Sequence, residues 1–323
     1  METENLATAS LEGLRRSLIS LVEQDLPPQD ANEVLLIDSG DAPSALLMSL
    51  CHAYPWIKYY SAPTEIGYYE AKMLGAQLAT GEIVVYCDAD CWYEPTWLRT
   101  LVSTFTAGEY IQVVAGETIT RGVGLYQTAM ALTYIFPQYS GDTAIQPTTH
   151  YFLNNVAFRR EFLLAHPIPV DLPLYRGNCA IHAHSLRQQG YVIWRQPKAR
   201  ASHAPPSSVA HFYWRFLLIG HDYYWQHRLL ATAAPQHRDS FSGIDGKLRI
   251  FLERLRRMVQ HNPRHLFYLP CALPIAAMSV LLIFVGHQMT ALNPNYLLKT
   301  YVAKEKRLSS VAFGQDADDR FQK

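Results

Sequence analysis

Apolar positions open in a helical rhythm. Leu11, Leu14, Leu18, Leu21 and Val22 recur at three- and four-residue spacing behind Ser10, which suits a helix cap. After the turn DLPPQD, residues 33–37 (EVLLI) form a short apolar run ending at Asp38-Ser39-Gly40-Asp41. Asp41 and Pro43 suit the opening of a second helix, and residues 57–60 read as a further strand. Residues 66–80 carry a helical pattern that stops at Gly81. Residues 82–87 (EIVVYC) are the strongest strand in the chain. Pro95 starts another helix (PTWLRTLVSTF), and residues 111–115 (IQVVA) return as a strand.

Strands alternating with helices at this spacing predict βαβ units, hence an α/β domain with a mainly parallel sheet covered by helices. Ligands of such sheets bind outside the carboxyl ends of the strands. Asp38 and Asp88-Ala89-Asp90 both fall at such ends, so a site there is favoured over an ordinary polar turn.

Further along the pattern loosens. Residues 151–158 (YFLNNVAF) precede Arg159-Arg160 and a short helix, and residues 179–189 (CAIHAHSLRQQ) read as a helix stopped by Gly190. A strand over residues 191–194 leads to His203, just before two prolines. Residues 211–227 are dense in aromatics, and residues 247–259 (KLRIFLERLRRMV) are amphipathic and basic. Both suit helices lying in a membrane interface or packing on the preceding domain. Residues 266–285 (LFYLPCALPIAAMSVLLIFV) hold no charge and are long enough to cross a bilayer, with two prolines in the first half that predict a kink or a re-entrant piece. The alternative is a buried core helix. Arg249, Arg254, Arg256, Arg257 and Arg264 before this segment favour a cytoplasmic N-terminal side, although Lys299, Lys304 and Lys306 follow it.

Composition removes several function classes. Lys+Arg and Asp+Glu balance at 28 each, so no global field favours nucleic acid, and none is expected as a partner. Cys51, Cys87, Cys91, Cys179 and Cys271 show no zinc-ligand spacing, and their odd number argues against a disulfide framework. The first thirty residues lack a basic head followed by an apolar run, so no signal peptide is visible.

Two aspartates on a turn offer the hard oxygen ligands that Mg²⁺ or Mn²⁺ prefers, and such ions complete their shell with water and substrate phosphates. A lone D-x-D is weak. Its place after IVVYC, with Gly81-Glu82 before it and Pro95 after it, is far more specific.

The stretch IGYYEAKMLGAQLATGEIVVYCDADCWYEPTWL resembles the centre of family 2 glycosyltransferases with the GT-A fold. EVLLIDSGDA is similar to that family's second strand, NNVAFRREFL to its acceptor-side segment and YVIWRQPKARASH to its closing strand. The resemblance runs from about residue 11 to 203. It implies that Asp38 contacts the nucleobase, that Lys72 contacts base or phosphate, and that Asp88 faces ribose or diphosphate. It also implies metal ligation by Asp90, Asp88 and His203. The plain alternatives are a solvated helix lysine for Lys72 and a loop residue for His203.

Two departures stand out. The family begins with a strand before its first helix, whereas this chain opens at that helix. Counting back from Gly190 places Asn178-Cys179 where the family carries an acidic pair, the second member of which is the usual general base. A neutral thiol is a poor base for a sugar hydroxyl and Asn cannot act as one. His182 or His184 lies one turn along, and His182 is the expected substitute.

The resulting expectation is a GT-A-like domain over residues 1–204, interface helices over 205–262, a spanning segment over 263–290 and a polar tail over 291–323. Its activity would be metal-dependent transfer from a nucleotide sugar, foremost a UDP-sugar, to a lipid-linked or polysaccharide acceptor at the membrane, with the catalytic domain facing the cytoplasm. One rival is a degenerate member serving as a binding or scaffold partner. A nucleotidyltransferase is the other, although no Gly-rich basic phosphate loop stands near the N-terminus.

Overall fold

The computed structural model describes residues 1, 3, 11–40, 42–63, 66–233 and 244–304. Ser10 and Asp41, expected to open helices, lie outside the described residues. Helix α1 (Leu11–Val22) turns Leu14, Leu18 and Leu21 into the core, as their spacing requires. It is followed by β1 (Val34–Asp38), α2 (Ser44–Ala53), β2 (Ile57–Ser61), α3 (Tyr68–Leu78) and β3 (Ile83–Cys87). Next come β4 (Cys91–Tyr93), α4 (Trp97–Thr104), β5 (Val113–Thr120), α5 (Leu125–Thr133), β6 (Gln146–Thr148) and β7 (Asn155–Arg159). The chain closes through α6 (Arg160–Ala165), α7 (Asn178–Gln188), β8 (Ile193–His203), α8 (Val209–Ala233), α9 (Ile244–His261) and α10 (His265–Leu292). Gly190 takes φ +86 just beyond α7, the left-handed stop that only glycine adopts at low cost.

The expected sheet covered by helices is present, and its pairing is mixed. β1 and β2 pair in parallel from Val34↔Ile57 to Asp38↔Ser61. The larger sheet runs β3-β7-β5-β8-β4, with β6 beside β8. Within it β5 and β8 are parallel, while β7 lies antiparallel to both β3 and β5. β7 reaches that central place after a long excursion through α5 and β6, so local βαβ spacing does not reveal it.

The centre of this sheet is sealed by one buried amide. Asn155 Nδ2 donates to Glu117 O and Ala199 O, and its Oδ1 accepts Trp97 Nε1–H at 2.7 Å. Gly116 is required beside it, since a Cβ there would stand 2.1 Å from Asn155 Oδ1 and 2.3 Å from Ala199 O. The free side of β1 is met by the first residues of the chain. Met1 N donates to Leu35 O, Ile37 N to Met1 O and Thr3 N to Ile37 O, each at 3.0 Å. Residues 1 and 3 thus bond the edge of β1 opposite β2.

Among the described residues α10 is the one helix long and apolar enough to cross a membrane, and it runs through Pro270 and Pro274 as one helix. One of its sides packs on α8 and α5 through Ala272, Ala276 and Leu282. At the α8 crossing a Cβ on Gly220 would lie 2.1 Å from Ile283 O, and one on Gly286 would lie 2.1 Å from Leu217 O. The opposite side leaves Phe267, Val280, Leu281 and Phe284 exposed. Helices α8 and α9 therefore do not lie alone in an interface. α8 is clasped by α10, and α9 packs Met258 against Ala131 and Leu132 of α5, because their apolar faces find partners within the fold.

Candidate active site

The D-x-D turn is held from three directions. Tyr93 Oη accepts the Asp88 N–H at 2.8 Å and donates to Asn154 O at 2.9 Å. Ser17 of α1 donates its hydroxyl to Asp88 O at 2.9 Å, and Ala204 N donates to Asp90 O at 3.1 Å. The backbone is thereby fixed before either carboxylate makes a contact.

Asp90 and His203 come together across the β4–β8 pairing, in which Cys91 is opposite His203. Asp90 Oδ2 and His203 Nε2 are 2.9 Å apart. His203 Nδ1 donates to Ala204 O at 2.5 Å, which leaves Nε2 as the nitrogen that turns to a cation. Burial pushes the Asp90 carboxyl up, but the neighbouring His203 outweighs it and holds the group below the usual carboxylate range. Asp90, Cys91 and His203 offer ligand atoms within 4.8 Å of one another. Burial lifts the Cys91 thiol well above its ordinary range, so it stays protonated and is a poor partner for a hard cation. One carboxylate oxygen and one imidazole nitrogen are donors that Mg²⁺ or Mn²⁺ accepts, ions that complete their shell with water and phosphate oxygens.

Asp88 is not part of that group. Its Oδ1 lies 2.5 Å from Lys72 Nζ, and Tyr68 Oη donates to Oδ2 at 2.9 Å. Lys72 Nζ also donates to Cys87 O at 2.7 Å. Lys72 and Asp88 are both buried, so two expectations change. Asp88 is a buried, anchored carboxylate outside the Asp90–His203 group rather than a metal ligand, and Lys72 is its internal counter-ion rather than a phosphate contact or a solvated lysine. The reason is burial: a charge this deep requires a partner, and each supplies the other's.

Asp38 ends β1 as expected. Its Oδ1 accepts Thr3 Oγ1–H at 2.8 Å and Gly40 N–H at 3.0 Å, and its Oδ2 accepts Tyr59 Oη–H at 2.8 Å.

His182 is not brought to this site. It is 3% exposed, its Nδ1 lies 2.6 Å from Tyr151 Oη, and its Nε2 lies 2.9 Å from His166 O. Its ring packs among Tyr151 and Phe158, and burial lowers its pKa to about 4. Helical spacing from Cys179 pointed the side chain inward, into the core, where both nitrogens are committed. The expectation of a general base there is withdrawn.

Residues that sequence reasoning passed over adjoin the site instead. The Arg176 guanidinium lies 4.1 Å from the centre of the Tyr68 ring, the same ring whose hydroxyl holds Asp88. Arg215 Nε donates to Tyr134 Oη at 3.0 Å, and the Tyr134 ring centre lies 6.0 Å from that of His203. Arg176, Cys179, Arg215 and Asp222 line a cleft of about 620 Å³. Asp222, the buried carboxylate in that set, accepts the Tyr175 N–H at 2.7 Å and the Arg176 N–H at 2.9 Å. The signal was an acid inside an aromatic helical run, which burial rules make unusual.

Comparisons with known proteins fit this geometry. Residues 9–166 match the family model described as glycosyl transferase family 2. Polypeptide N-acetylgalactosaminyltransferase 15 of Homo sapiens is 32% identical over 106 residues, which is 32% of this chain and 16% of that protein. The chain thus spans only a small part of that curated relative. Among solved structures, the mannosyltransferase PcManGT from Pyrobaculum calidifontis, in complex with GDP-Man and Mn²⁺, superimposes with a TM-score of 0.51 at 17% identity, covering 94% of this chain and 83% of that one. S. aureus TarS 1-349 in complex with UDP-GlcNAc gives a TM-score of 0.50 at 17% identity, covering 76% and 69%. At these identities the likeness shows the fold.

Proposed function

We propose that this chain, which resembles the family 2 glycosyltransferases over residues 9–166 and has the GT-A fold, transfers a sugar from a nucleotide-sugar donor to an acceptor hydroxyl. The observation that carries the reading is the Asp90–His203 pair, set at the ends of β3 and β8 beside the anchored Asp88. The pair would hold Mg²⁺ or Mn²⁺, and such an ion supplies charge neutralisation to a leaving diphosphate. Asp38 and Tyr59 at the mouth of β1 are where the base of the nucleotide would rest. A UDP-sugar is the donor we favour, since the relative solved with UDP-GlcNAc has this fold, although the one solved with GDP-Man has it too.

The acceptor we assign is a lipid-linked or growing polysaccharide chain at a membrane. The exposed apolar side of α10 supports membrane attachment, and Arg249, Arg256 and Arg257 of α9 support a cytoplasmic catalytic face. A second reading, a non-catalytic binding partner, draws on Asn178 and Cys179 at the start of α7, where no carboxylate stands. The two readings separate in one experiment. Full-length protein in detergent is titrated with UDP and GDP in Mn²⁺, with and without EDTA, and then given UDP- and GDP-sugars while nucleotide release is followed. Metal-dependent binding with release supports transfer. Binding without release supports the partner reading, and no binding to either nucleotide removes both.

A further inference from the structure

Transfer of a sugar to a hydroxyl needs a group that takes the hydroxyl's proton, and the cleft beside the Asp90–His203 pair offers few. Asn178 cannot accept one at nitrogen, and burial pushes the Cys179 thiol up to about 12. His182 is committed to Tyr151 and His166. Glu253 on α9 is half-buried and paired with Arg257 and Arg256. His150 is exposed, with its ring beside Thr149 and Phe152.

Resting on the transfer reading above, we propose that Asp222 of α8 is the general base, a catalytic carboxylate supplied from a later helix to the place that α7 leaves without one. Its two oxygens are aimed by the backbone amides of Tyr175 and Arg176, two residues ahead of Asn178. Arg176 is the link to the donor side, because its guanidinium covers the Tyr68 ring and Tyr68 holds Asp88. Arg215, from the same helix as Asp222, reaches the other side through Tyr134 toward His203. Asp222 therefore stands one arginine away from each half of the D-x-D turn, on the wall of the open cleft.

In the step, the acceptor O–H bond breaks and its proton moves to an Asp222 oxygen. The acceptor oxygen forms a bond to the anomeric carbon on the face opposite the diphosphate. The bond from that carbon to the diphosphate oxygen breaks, and the electron pair leaves with the nucleoside diphosphate. The outcome is a single displacement with inversion.

Burial pushes the Asp222 carboxyl up to about 6, against the pull of the two amide N–H groups and of Arg215 and Arg176. The groups facing it are Arg215 on its own helix, Tyr175 and Arg176 before α7, Cys179 on α7 and Tyr69 on α3. Arg249, Glu253, Arg254 and Arg257 of α9 border the same cleft. A base with this pKa works in its ionised form, so the rate rises with pH through about 6 and is level above it.

The test uses full-length protein in detergent with Mn²⁺ and UDP-GlcNAc, UDP-GalNAc or GDP-mannose, with water as acceptor and nucleotide release as the signal across pH 5 to 9. Asp222→Asn is expected to lower turnover roughly 10²–10⁴-fold and to erase the limb near pH 6, while nucleotide–Mn²⁺ affinity stays within about threefold. Asp222→Glu is expected to restore part of the rate together with the limb, and His150→Ala to keep both. Equal turnover in Asp222→Asn, or a limb that persists in it, overturns the assignment. Turnover and donor affinity falling in step also overturn it, because Asp222 then only holds the 175–176 turn. A wild-type protein that binds nucleotide but releases none from any donor overturns the transfer reading and this one with it.

Discussion

Asp90 and His203 meet at 2.9 Å because β4 and β8 pair with Cys91 opposite His203. Neither residue has a close sequence neighbour that demands this contact. The sheet register makes it, and the carbonyl of Ala204 then fixes which imidazole nitrogen faces the carboxylate.

The pair sets the metal prediction. Asp90→Ala and His203→Ala should each weaken Mn²⁺-dependent binding of UDP or GDP by 10-fold or more, while the small EDTA-resistant binding stays unchanged. Isothermal titration with and without EDTA reads both arms. Wild-type affinity for nucleotide–Mn²⁺ in Asp90→Ala would remove this metal site.

Lys72 and Asp88 predict a stability effect rather than a binding one. Lys72→Met leaves a buried carboxylate without its counter-ion, which costs about 3–5 kcal/mol in comparable buried pairs. The double variant Lys72→Met with Asp88→Leu should recover much of that loss. Chemical denaturation of the single and double variants measures it, and a neutral single variant would mean that the pair is solvated.

For His182, the expected phenotype is loss of stability with turnover per folded molecule nearly unchanged. Its pKa is lowered in the folded state, so protonation favours unfolding. Its contribution is therefore complete above pH 6.5 and is lost as pH falls from there toward 4. The full loss is about 3 kcal/mol at 1.36 kcal/mol per pKa unit. Denaturant midpoints at pH 7 and pH 5 for wild type and His182→Ala should differ by less at the lower pH. A large drop in turnover at full folding would return His182 to the catalytic list.

The α8–α10 crossing tolerates no side chain. Gly286→Leu forces atoms into the Leu217 backbone and should cost at least about 1–3 kcal/mol, read as a lower melting temperature in detergent and faster proteolysis of α8. Met278→Leu, on the exposed part of α10, is the matched control and should be neutral. The same crossing changes what truncation would do. Cutting the chain after Asn262 bares the faces of α5 and α8 that α10 covers, so aggregation is expected in place of a soluble domain.

How much of this was legible in the sequence differs by element. β1, α3, β3 and α4 follow local periodicity and lie where the pattern put them within a few residues. β8 runs from Ile193 to His203, far past the strand read at 191–194, because Pro197, Lys198 and Arg200 hide a strand whose partners are distant. The D-x-D and His203 were visible as residue types at strand ends. The split between Asp88 and Asp90 was not, since it depends on which carboxylate meets Lys72 in three dimensions. Asp222 shows in the sequence only as an acid within an aromatic run, and nothing near it in the chain marks Arg176 as its neighbour.

The contact of Gly220 with Ile283 lies two residues from Asp222 on the same helix. A backbone-to-backbone contact leaves no flexible spacer, so the apolar helix and the cleft wall move as one body. With α10 seated in a bilayer as proposed, the cleft would be held at a fixed height above the lipid, a mechanical gauge for where along an acceptor the next sugar can be added.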